Sequence, residues 1–121
     1  MNKPALVTLL VIAAAASAGA PQAQEAPRGD AARGRQLYLA GGCFECHGRA
    51  GQGGAFNGPA PALAQTPLPY VSFQAQLRNP YGDMPPYAAK VMPDQDVADV
   101  FAFVRSLPGA RAPQDVGILS R

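Results

Sequence analysis

The stretch GGCFECHGRAGQGG, Gly41 to Gly54, holds both cysteines and the only histidine of the 121-residue chain. Cys43, Cys46 and His47 crowd into one C-F-E-C-H run. Four chemistries compete for such a run. A structural disulfide is the plainest in an exported chain, but two cysteines three positions apart would close only a tiny loop and add little stability. A dithiol redox pair is expected beside alternating strands and helices, and no strand pattern is visible. A structural zinc site usually takes four ligands, whereas the thiols and the imidazole total three and crowd into a single turn. Covalent haem attachment remains. C-x-x-C-H is its sequence signature: two thiols form thioethers with the vinyl groups, and the adjacent histidine is presented to the iron. The spacing is short because both thioethers and the Fe–N bond must reach one macrocycle.

A haem also suits the composition. The chain has 13 Gly and 13 Pro and no Trp, so regular structure is limited and a small core needs a staple. One haem c per chain would supply that apolar centre and use every cysteine and the histidine.

The sixth iron position needs a second ligand. A second histidine is absent, so methionine is the candidate, and its thioether raises the potential. Met1 belongs to the leader, which leaves Met84 and Met92. Met84 sits in GDMPP, where Gly82 and Pro85-Pro86 shape a stiff loop, and is the expected ligand. Met92 directly precedes the last helix and suits a hydrophobic staple against Val97.

Residues 1–23 have the layout of a secretory signal peptide: a positive start, the uncharged run ALVTLLVIAAAA, then small residues. Cleavage is expected after Ala18 or Ala23. The apolar run falls short of the roughly 20 residues that span a bilayer, so no membrane span is expected in the mature chain. Losing Lys3 leaves nine basic against eight acidic residues. Near neutrality without a basic block argues against nucleic acid as a partner.

Residues 24–29 read as a flexible leader, 30–108 as the folded domain and 109–121 as a tail. Asp30 is a candidate N-cap for a first helix that Gly41-Gly42 stops. A short helix is expected over 70–78, with Val71, Phe73 and Leu77 inward, ended by Asn79-Pro80. The clearest helix runs over 94–106, where Val97, Val100, Phe101, Val104 and Leu107 recur at helical spacing, with Phe103 at the edge of the stripe. The class is all-α: three to four short helices and long loops.

These residues in this order resemble a small bacterial class I cytochrome c, monohaem with histidine and methionine ligands. Gly34 and Tyr38 match the glycine and aromatic of the family's first helix. CFECHG matches the haem motif, NGPAPAL the segment after it, RNPYGDMPPY the methionine loop, and VADVFAFVRSLP the last helix, with Val100 and Phe103 at its contact positions. The resemblance covers about residues 30 to 108. It implies a fold wrapped around one covalent haem, with the first and last helices crossing beside it and Gly34 permitting the contact. It implies that a proline carbonyl orients His47. Pro59, which follows Gly58, is the expected one, and Pro61, before Ala62-Leu63, is the alternative. Phe56, Leu63, Tyr70, Phe73, Leu77 and Tyr87 are the implied haem-pocket residues. Arg78 would meet a haem propionate or stand as a solvated helix-end charge.

The function this implies is one-electron transfer in the periplasm, with iron cycling between Fe(III) and Fe(II). It is an electron carrier and not an enzyme, with transient redox partners, monomeric if free. Two alternatives stand beside it: a haem subunit permanently bound to a periplasmic dehydrogenase, and a haem sensor or enzyme with an open iron site.

Overall fold

Asp30 begins the first helix by capping it. Its carboxylate accepts from the N–H of Ala32 at 2.8 Å and of Arg33 at 3.1 Å, which satisfies donors that a helix start leaves open. Helix α1 then runs Ala31–Ala40. The computed structural model describes residues 26–54 and 60–118. Among these the chain is helical without strands: α1, α2 (Cys43–His47), α3 (Tyr70–Arg78), α4 (Asp94–Ser106) and a 3-10 turn at Pro113–Asp115. The all-α class expected from the sequence is what the described residues form. The leader at 1–23, and Phe56 and Pro59 of the expected pocket, lie outside the described residues. No helix among the described residues is long and apolar enough to cross a membrane.

The core is built on α4. Val97, Val100 and Val104 are fully or almost fully buried, as their spacing predicts. The helix also buries residues beyond one stripe, because it is covered on two sides. Phe103 meets Tyr38 of α1 edge-on, with ring centroids 5.3 Å apart. Phe101 meets Tyr70 and Phe73 of α3, at 5.5 Å and 5.1 Å. Met92 is buried in the same cluster two positions before α4 begins.

Helix α1 lies directly on α4. A Cβ at Gly34 would stand 1.9 Å from the carbonyl oxygen of Asp99 and 2.9 Å from Phe103 Cβ, so only glycine allows this approach. Arg28 and Gly29, at the end of the segment expected to be flexible, also rest on α4: Gln95 Nε2 donates to the Arg28 carbonyl at 3.0 Å.

One expectation for α3 is corrected. Val71 is half exposed, and the buried residues are Tyr70, Phe73 and Leu77. These recur at three and four residues and share one face, and Val71 is turned away from it by a full residue step of about 100°.

Candidate functional site

Helix α2 carries the C-x-x-C-H motif. It is one turn long, far below the length at which an isolated helix is stable, so its neighbours must hold it. Gly42 precedes it with φ +73°. Two tyrosine hydroxyls bracket it: Tyr87 donates to the Gly41 carbonyl at 2.7 Å before it, and Tyr38 to the Gly48 carbonyl at 2.7 Å after it. Tyr38 is completely buried, and a buried tyrosine usually finds such a partner. Burial raises its hydroxyl above its ordinary pKa.

Cys43 and Cys46 are both free thiols, half-buried and not joined to each other. Burial pushes the Cys43 thiol up, partly offset by a hydrogen bond with Tyr87. Both sulfurs are therefore available for thioether bonds.

His47 closes α2 and is buried. Its Nδ1 stands 2.9 Å from the Pro61 carbonyl oxygen. A carbonyl only accepts, so this bond assigns the proton to Nδ1 and leaves the Nε2 lone pair outward. Nε2 has no hydrogen bond among the described residues. The proline expected here was Pro59; the carbonyl that His47 meets is that of Pro61. The reason lies in the glycine loop between them. Gly53 donates to the His47 carbonyl at 2.8 Å, Gly54 to Ala60 at 2.9 Å, and Leu63 to Gly51 at 2.8 Å. A Cβ at Gly53, where φ is +77°, would lie 2.7 Å from both Ala60 O and Ala62 N. This close backbone approach sets Pro61 over the imidazole.

Gln65 anchors the same loop to the end of α4. Its backbone N–H donates to Val104 at 3.0 Å and its amide to the carbonyls of Arg105 and Leu107. It adopts φ +56°, a left-handed conformation that is uncommon outside glycine and is here held by three bonds. Sequence reading did not single it out.

Met84, Leu63, Tyr87 and Cys43 are partly buried and pack against the core that holds Phe73, Leu77 and Tyr70. The structure thus brings these expected residues into one apolar neighbourhood. Gln76 Nε2 lies 3.9 Å from Met84 Sδ. The sequence reading missed Gln76, although its position three after Phe73 sets it near the buried face of α3. Arg78 is not the solvated helix-end charge that was one of its two expected roles. Its guanidinium donates to the Tyr87 carbonyl at 2.7 Å and to Asp94 Oδ1 at 2.6 Å, so it ties the methionine loop to α4 through protein partners.

Residues 29–104 match the family described as cytochrome c oxidase, cbb3-type, subunit III. The chain belongs to this family of c-type cytochromes. No curated protein and no solved structure is significantly similar to it. Membership of a cytochrome c family means haem-based electron transfer and a covalently held c-type haem. The residues present fit that group: two unpaired thiols and an imidazole with its outer nitrogen free stand on one short helix beside apolar side chains.

Proposed function

We propose that the protein is a periplasmic one-electron carrier, exported by residues 1–23, that holds one haem c per chain. Cys43 and Cys46 are the thioether anchors, His47 Nε2 is one axial ligand and Met84 Sδ is the other. When bound, the haem supplies an iron that accepts and returns one electron. The chain binds it through the two sulfurs and orients the imidazole through Pro61. It also keeps water from the iron with the Met84 loop and the apolar side chains beside it.

The observation that carries this reading is the His47–Pro61 bond at 2.9 Å. It fixes both the tautomer and the ring orientation, so that Nε2 is presented as a ligand from the turn that also carries the cysteines. A closed iron, with both axial positions filled from the chain, suits a carrier and not an open-site sensor.

Absorption spectra of oxidised and reduced protein test the ligand set. The wild type is expected to be low-spin with a weak sulfur-to-iron band, which Met84→Ala abolishes and Met92→Ala retains. Survival of the band in Met84→Ala with its loss in Met92→Ala would overturn the assignment, and ready carbon monoxide binding by the wild type would favour the open-site reading.

A second reading, a haem subunit held permanently by a larger enzyme, is favoured by the family's description, which names an oxidase subunit. Gel filtration of a native extract separates the two. A free carrier elutes at the size of the monomer, and comigration with a larger enzyme defeats it.

A further inference from the structure

The segment between α3 and α4 carries Met84 and has no regular structure of its own. A connection of this length needs anchors to hold one conformation. Its front half has few. Tyr81 is 90 % exposed, and the turn at Gly82 (φ +75°) has nothing within 4 Å of where a Cβ would be.

The anchors gather on Tyr87. Its N–H donates to the Leu77 carbonyl at 2.8 Å. Its own carbonyl accepts from Arg78 at 2.7 Å, and Arg78 extends the hold to Asp94 of α4 at 2.6 Å. Its hydroxyl donates to the Gly41 carbonyl at 2.7 Å. One residue therefore joins α3, α4 and the start of the attachment helix.

Between Met84 and Tyr87 stand only Pro85 and Pro86. Each ring fixes φ near −65°, so the pair acts as a strut. Two of the backbone dihedrals between Tyr87 and Met84 are thereby fixed, which limits how much of a shift at Tyr87 the backbone can absorb.

We propose that Tyr87 is a positioning residue: its hydroxyl bond to Gly41 locks the Met84 loop onto the attachment helix and sets how firmly Met84 closes the iron to outside ligands. This rests on the reading of Met84 as axial ligand. Tyr87→Phe isolates the hydroxyl, since it keeps the ring and both backbone bonds. Tyr81→Phe, in the same loop but 90 % exposed, is the control.

Holoprotein of each variant is titrated with imidazole while the sulfur-to-iron band and the far-ultraviolet circular dichroism are recorded. Tyr87→Phe is expected to keep its helical signal, to weaken the band and to bind imidazole roughly fivefold more tightly, the equivalent of one lost neutral hydrogen bond. Tyr81→Phe is expected to match the wild type. If Tyr87→Phe matches the wild type while Met84→Ala loses the band, the positioning role is overturned and the ligand assignment stands. If the band survives in Met84→Ala, the assignment fails and this proposal with it. Should Tyr87→Phe yield no holoprotein, Arg78→Ala loosens the same clamp at the Tyr87 carbonyl. Tighter imidazole binding there supports the proposal, and unchanged binding overturns it.

Discussion

The Pro61 carbonyl reaches His47 Nδ1 across 14 residues of chain at 2.9 Å. That contact depends on a loop with glycines at positive φ, including Gly51 and Gly53. The loop is in turn tied by Gln65 to the last turn of α4. The His47 imidazole is thus oriented through a loop anchored at the end of α4, and not by its own short helix.

Gly53→Ala tests this arrangement. The new Cβ would press on Ala60 O and Ala62 N at 2.7 Å, and alanine would hold a left-handed backbone at a cost of roughly 1–3 kcal/mol. The denaturant midpoint of the holoprotein is expected to fall, and the His47 ring resonances are expected to shift. A variant with the wild-type midpoint and unmoved resonances would show that the loop has room that the structure denies it.

Gly34→Ala has a sign that decides the packing. In an unpacked helix the exchange stabilises by about 1 kcal/mol. Here the Cβ would meet the Asp99 carbonyl at 1.9 Å. Helices α1 and α4 must then separate, at a cost on the order of 1–3 kcal/mol or more. Thermal unfolding of the holoprotein should therefore show a lower Tm. A raised Tm would mean that the two helices do not touch at Gly34.

Asp99 gives the fold an acid limit. It is buried within α4. Burial pushes its carboxyl up, but bonds from the Asp30 N–H, Gln95 and Arg33 outweigh this and hold it below its ordinary value. Arg33 also pairs with Asp96 at 2.6 Å. A lowered folded-state pKa means that the unfolded chain binds the proton more readily. The stabilisation is fully present above the unfolded value of about 3.9 and is lost as pH falls through the folded one. In Asp99→Asn the acid limb of a Tm-against-pH curve is expected to flatten. Stability at neutral pH is expected to drop by roughly 1.5–3 kcal/mol, the scale of a hydrogen bond to a charged group. An acid limb identical to that of the wild type would assign the acid sensitivity to other carboxylates.

The helices were legible in the sequence because their signals are local. Asp30 caps α1, Asn79-Pro80 ends α3, and the valines of α4 repeat at helical spacing. The C-x-x-C-H run that marks the cytochrome c family is local in the same way. What escaped was decided by distant backbone. Pro59 and Pro61 are both prolines in a glycine-rich loop, and only the Gly53 approach selects between them. Tyr87 and Gly41 are 46 residues apart, and no pattern links them. Asp99 is a carboxylate on a buried helix, satisfied by donors from the Asp30 cap, Arg33 of α1 and Gln95 of its own helix. Val71 was misplaced because a nine-residue helix offers too few apolar positions to fix its phase.

Gln76 gives the methionine loop a further test, within the reading of Met84 as ligand. Its Nε2 approaches Met84 Sδ at 3.9 Å, a long contact that still points a donor at the sulfur. A donor draws electron density from the thioether and so favours the reduced state. Gln76→Leu removes the donor and keeps the side chain similar in size. The reduction potential is expected to fall by roughly 20–40 mV, the one-electron equivalent of a weak hydrogen bond of about 0.5–1 kcal/mol. Redox titration of the wild type and the variant reads this directly. A potential that does not move, with the sulfur-to-iron band intact in both proteins, would show that Gln76 packs beside the sulfur without tuning it.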